Sequence, residues 1–112
     1  MSEFANLSPK EREEAYAKYL KTAERRSGEG KLSLTTISMY LDYLKKKEVI
    51  SAISTEILPN FYQYKSYADV IEANRILRAS PHFEKVNQTS AHGTLAATIE
   101  HYLNFLKEYK QK

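Results

Sequence analysis

Acid–base catalysis needs paired titratable groups held in a shaped pocket, and this chain of 112 residues offers little for it: two aspartates, three histidines and no cysteine. Asp42 and Asp69 fall on the polar faces of the helices expected to contain them, where solvation or capping accounts for both. His82, His92 and His101 lack the i, i+4 pairing and the neighbouring glutamate of a helical zinc site, so neither a metal nor another cofactor is expected. Gly28-Glu29-Gly30-Lys31 has the look of a phosphate loop. It is too short for a Walker motif, has no Ser or Thr directly after the lysine, and does not follow a strand. A turn that ends a helix explains it. No catalytic residue, and no enzyme acting alone, is expected.

Anion binding is the chemistry that remains. The formal charge is only +3, but it is unevenly spread. Met1 to Glu14 holds two basic and four acidic residues, Ala15 to Lys47 eight and three, and Glu48 to Lys112 seven of each. The excess, with Arg25, Arg26, Lys31, Lys45 and Lys46 in it, sits on the first two helices and their connection. A local basic patch can bind a phosphate backbone through counterion release even at modest total charge. Lysines on an ordinary solvated face would look the same in sequence.

The elements that must position these residues are helical. Ser8-Pro9-Lys10-Glu11 is a capping box with proline in the first turn, starting a helix that runs to about Arg26 with Ala15, Tyr16, Tyr19, Leu20 and Ala23 inward. Gly28 and Gly30 stop it. Ser33 caps a second helix to Lys47, which places Lys45-Lys46-Lys47 at the negative end of the helix dipole. Val49 to Tyr64 reads as an ordered connection packed on the core, with a short helical turn opening at Ser54-Thr55-Glu56 and ending before Pro59. Ser66 and Asp69 cap a third helix, 67 to 79, with Val70, Ile71, Asn74 and Leu77 inward. Ser80-Pro81 ends it and starts a short helical segment through Phe83 and Val86. After the polar Gln88-Thr89-Ser90, either Ser90 or His92 caps a last helix, 92 to 109. No segment alternates long enough to form a strand. The expectation is an all-α, compact bundle of four main helices (about 8–26, 33–47, 67–79 and 92–109) in one domain spanning residues 1–112.

The same phrase, Thr-Ile-x-x-Tyr-Leu-x-aromatic-Leu-Lys, occurs at Thr36–Lys45 and again at Thr98–Lys107. Its Ile, Tyr, Leu and Leu stand at i, i+3, i+4 and i+7, one stripe of a helix, leaving Ser38, Asp42, Glu100 and Asn104 toward water. Convergence of amphipathic helices and an old helix-pair duplication both account for it. Either way, both helices are core elements.

The segment Gly30-Lys31-Leu32-Ser33-Leu34-Thr35-Thr36-Ile37-Ser38-Met39-Tyr40-Leu41-Asp42-Tyr43-Leu44 resembles the second helix of the SAM-like, four-helix core-binding domain of tyrosine recombinases and phage integrases. The later run is similar to the end of related helical domains that precede HNH nucleases and modification-dependent restriction enzymes. It comprises Ser80-Pro81-His82-Phe83, Val86-Asn87, and His92-Gly93 through Leu95, Ile99 and Tyr102-Leu103 to Phe105-Leu106. The resemblance implies a SAM-like module that grips duplex DNA by its sugar–phosphate backbone, without the catalytic domain that normally follows in those families. Phosphates would then meet two helix starts, Ser33, Thr35 and Thr36 at one and Ser90, His92 and Thr94 at the other. Arg25, Arg26, Lys31, Lys45 and Lys46 would flank them. Plain capping explains the hydroxyls equally well.

A rival reading is a protein-interaction module, a small phage or mobile-element factor docking on a host protein. Its motive is the surplus of nine tyrosines, with Tyr62, Tyr64 and Tyr67 as a candidate patch. A helical bundle that dimerises through its last helix is a third reading, so monomer and weak dimer both stand. Met1 to Lys10 lacks an apolar run and no stretch suits a membrane span, so a soluble, cytoplasmic protein is expected, consistent with the missing cysteines.

Overall fold

A computed structural model describes residues 3–22, 32–89 and 93–111, and every described regular element is helical. A 3-10 turn, Phe4–Asn6, leads into α1 (Pro9–Thr22), α2 (Leu34–Tyr43) and α3 (Lys47–Ile53). A second 3-10 turn, Phe61–Gln63, precedes α4 (Tyr67–Ala79), α5 (Phe83–Thr89) and α6 (Thr94–Gln111). The all-α expectation holds, with six helices among the described residues where four main ones with short helical turns between them were expected.

The caps explain where the helices begin. Ser8 and Glu11 form the reciprocal capping box, with the Glu11 amide donating to Ser8 Oγ at 3.1 Å and the Ser8 amide to Glu11 Oε1 at 2.8 Å. Ser66 Oγ accepts from the Asp69 amide, and α4 has the bounds that its sequence predicts. The second helix differs. It ends at Tyr43, because the Lys45 amide turns back to the Asp42 carbonyl at 3.0 Å and a separate helix starts at Lys47. The lysine triplet therefore lies in a turn and at the opening of α3, not in the last turn of a longer helix. Val49, Ile50 and Ile53 anchor α3 in the core, and Ser54 ends it where a short helical turn was expected to begin. Apolar spacing alone could not locate this break, which the Phe61 amide stabilises by donating to the Leu44 carbonyl at 2.8 Å.

One cluster of buried apolar side chains draws on α1 to α6 and the second 3-10 turn. Both copies of the repeated phrase supply it: Ile37, Tyr40, Tyr43 and Leu44 from the first, Ile99, Tyr102, Phe105 and Leu106 from the second. Ser38, Asp42, Glu100 and Asn104 are exposed as their spacing requires, and α2 against α6 is the most extensive helix pairing. On α4, Ala73 rather than Ile71 joins Val70 and Leu77 in the core, and Ile71 is left 40% exposed. All thirteen aromatic rings are buried or half-buried, and none is exposed.

A cation is also buried. Arg12, only 2% exposed, donates to the carbonyls of Phe4 (3.1 Å), Ala5 (3.0 Å) and Tyr62 (2.7 Å). Its guanidinium stands 5.2 Å from the centre of the Phe4 ring. Three backbone acceptors and a π face replace its water, so Arg12 ties the N-terminal segment and the second 3-10 turn to α1.

Candidate nucleic-acid interface

The start of α2 lies where its sequence places it. Ser33 is extended (φ −71°, ψ 158°), accepts from the Thr36 amide at 3.1 Å and donates to Thr36 Oγ1 at 2.9 Å. Both hydroxyls are thereby committed to capping. Thr35 is exposed, and its hydroxyl has no hydrogen-bond partner among the described residues. Arg25, Arg26, Lys31, Ser90 and His92 lie outside the described residues.

At the other proposed helix start, the cap comes from an unexpected residue. Asn87 of α5, 7% exposed, accepts from the Ala96 amide through Oδ1 at 3.2 Å, and its carbonyl accepts from the Gly93 amide at 2.7 Å. Gly93 makes the turn with φ +80°, a conformation that glycine adopts without steric penalty. Thr94, half-buried, is the first residue of α6. The α6 start is thus braced internally by α5. Asn87 carries a sequence signal, a polar residue at the end of a short amphipathic segment, but nothing in that segment says that it reaches forward nine residues.

Lys45 and Lys46 are engaged with acids. Lys45 Nζ lies 3.1 Å from Glu13 Oε1 and 2.9 Å from Oε2. Lys46 Nζ lies 3.6 Å from Asp42 Oδ2 and 4.7 Å from the centre of the Tyr43 ring. Each therefore has an internal partner.

The Glu13–Lys45 contact also sets the geometry of the α1–α2 pair. It joins the first half of α1 to the residues just past α2. Glu13, Ala17 and Lys21 follow an i, i+4 line on α1, while Lys45, Leu41, Ser38 and Leu34 follow a line of the same kind along α2. One end of this seam carries the acids and their lysines. Toward the end of α1 Lys18 and Lys21 are exposed, with exposed Glu14 one turn before Lys18 and no acid among the described residues from Ala15 to Leu41. On the α6 side this cationic end is bounded by Glu108, whose charge, after burial, helps to push the Tyr19 phenol up.

The described residues contain no group of three His, Cys, Asp or Glu placed to hold a metal, and no helix long and apolar enough to cross a membrane. An open cleft of about 500 Å³ between the end of α3 and α4 is lined by Ile53, Glu56, Arg75, Ile76 and Ser80, among others. Arg75 is paired with Glu72, and Ser80 donates to the Ile53 carbonyl at 2.6 Å. Comparisons with protein-family models, curated proteins and solved structures returned no match.

Proposed function

We propose that the protein binds duplex DNA non-catalytically, through the sugar–phosphate backbone, using the cationic end of the α1–α2 pair. The observation that carries this reading is the segregation of charge. Glu13 and Asp42 with their partnered lysines occupy one end, and exposed Lys18 and Lys21 occupy the other, with exposed Glu14 one turn before Lys18. Through the connection that follows, the chain adds Arg25, Arg26 and Lys31 against Glu24 and Glu29. The resemblance to recombinase core-binding domains points the same way. A duplex fits better than a single strand, because single-strand binders stack bases on exposed aromatics and every ring here is at least half-buried.

Fluorescence anisotropy with a labelled duplex, from about 50 to 200 mM salt, tests the proposal. Binding in the non-specific range, roughly 10⁻⁶ to 10⁻⁴ M, should weaken as salt rises. Lys18→Glu and Lys21→Glu should weaken it for all sequences alike. Absence of binding at low salt, or affinity indifferent to salt, sinks the reading.

A second reading keeps the protein-interaction module but moves its surface. Tyr62 is 1% exposed and donates to the Leu41 carbonyl at 2.8 Å, so the three-tyrosine patch does not exist. The exposed side of α2 offers instead Leu34 (76% exposed), Thr35, Ser38 and Met39 (40%), all uncharged. Depletion of charge marks interface centres. Recovery of one stoichiometric protein after nuclease treatment, lost with Leu34→Glu, would favour it.

A further inference from the structure

We infer that Glu13 limits the DNA footprint by holding Lys45 out of the set of phosphate-binding residues, with Asp42 doing the same to Lys46. This rests on the DNA-binding reading and adds where the footprint ends and what ends it.

The Lys45 ammonium lies between both oxygens of Glu13. The pair is partly sheltered, with side-chain exposures of 41% for Lys45 and 22% for Glu13. A phosphate reaching this ammonium must share its donors with the Glu13 carboxylate, which repels the phosphate and weakens the contact. Lys45 otherwise lies well for DNA. It continues the Leu34–Ser38–Leu41 line that begins at the cationic end. The eight rises from Glu13 to Lys21 span about 12 Å of helix, three to four base-pair steps of about 3.4 Å each. A duplex lying along the seam from Lys21 brings its next phosphates over the Glu13–Lys45 pair. Lys46, next in the chain, is restrained more loosely by Asp42 at 3.6 Å. Removing the charge of either acid therefore extends the footprint by one lysine.

Glu13→Gln keeps the shape of the side chain and removes its charge. In the same anisotropy titration, Glu13→Gln should bind duplex several-fold more tightly than wild type. The magnitude of the slope of log affinity against log salt should rise by about 0.9, one further phosphate contact. Glu84→Gln, on the exposed face of α5, controls for the change in net charge and should leave the slope unchanged. Glu13→Gln with Lys45→Ala should return to the wild-type slope. Asp42→Asn provides an independent variant with the same expected direction through Lys46, and far-UV circular dichroism checks that each variant folds. Equal effects of Glu13→Gln and Glu84→Gln, or a gain that survives Lys45→Ala, overturn the inference while leaving DNA binding intact. Failure of wild type and Glu13→Gln alike to bind at low salt overturns both.

Discussion

Thr98 Oγ1 donates to the Tyr40 carbonyl at 2.8 Å, so a residue of the second copy of the repeated phrase is bonded to the backbone of the first. With its proton on that carbonyl, Thr98 Oγ1 accepts from Tyr16 Oη at 3.0 Å, and the Tyr16 hydroxyl also reaches the Thr98 carbonyl at 2.9 Å. Three helices meet at this fully buried threonine. Its counterpart, Thr36, sits in the first turn of α2, where its hydroxyl accepts from Ser33 and has no other partner among the described residues.

Thr98→Val should therefore destabilise far more than Thr36→Val. Losing the Thr98 hydroxyl costs about 1–3 kcal/mol, since it removes one acceptor and one donor from a buried network. At Thr36 the Ser33 cap of the amide survives. Urea denaturation of the two variants gives the comparison, and equal midpoints would contradict it.

Arg12→Lys should destabilise by about 2–4 kcal/mol, because one ammonium cannot serve three carbonyls set around a planar fork and each lost bond to a buried charge is expensive. The damage should concentrate at the N-terminal segment, whose Phe4 ring packs edge-on against Phe105 and Tyr109. Faster amide exchange around residues 4–7, beyond any global loss of stability, is the signature to measure.

Stability should fall at high pH. Burial, first of all, pushes the Tyr16, Tyr62 and Tyr102 phenols well above their ordinary value of 10.0. These raised folded-state values favour the neutral native form. The contribution is fully present below about pH 10 and is lost above it, where the unfolded chain releases protons that the native chain keeps. Each such tyrosine adds a slope of about 1.4 kcal/mol per pH unit. Tyrosinate absorbance should rise together with loss of helical signal, and full titration of these groups in the folded protein would refute the account.

Tyr102 and Tyr62 should respond in opposite ways to loss of the hydroxyl. Tyr102 Oη is buried with no hydrogen-bond partner among the described residues, so Tyr102→Phe should leave stability unchanged or raise it. Tyr62→Phe removes the bond to the Leu41 carbonyl and should cost about 1 kcal/mol. Thermal unfolding distinguishes them.

Asn87→Ala and Gly93→Ala should both loosen the α5–α6 connection, for different reasons. The first strips the start of α6 of its cap, about 1 kcal/mol. At Gly93 a Cβ would meet no atom within 4 Å, so the penalty is conformational, about 1–2 kcal/mol for an L-residue forced to positive φ. Gly93→Asn should then be milder than Gly93→Ala, and the reverse order would point to packing instead.

The repeated phrase, the capping boxes and the bounds of α4 were legible in the sequence because each depends on contacts three or four residues apart. Local geometry sets those contacts before any packing occurs. The same periodicity gives the buried Ile, Tyr and final Leu of each stripe, whereas Leu41 and Leu103 are half-buried and Tyr43 and Phe105 enter the core beside them. The division of the expected 33–47 helix at Tyr43 was decided by the fold, since the Phe61 amide that donates to the Leu44 carbonyl lies seventeen residues away in the chain. So was the burial of Arg12, whose acceptors come from the N-terminal segment and from Tyr62, fifty residues on. The same holds for charge. Sequence placed Lys45 and Lys46 in a basic run, but only the packing of α1 on α2 put Glu13 beside Lys45 and left Lys18 and Lys21 exposed without a carboxylate partner among the described residues. Long-range pairing depends on which surfaces meet, and a linear pattern of residue types carries no register for that.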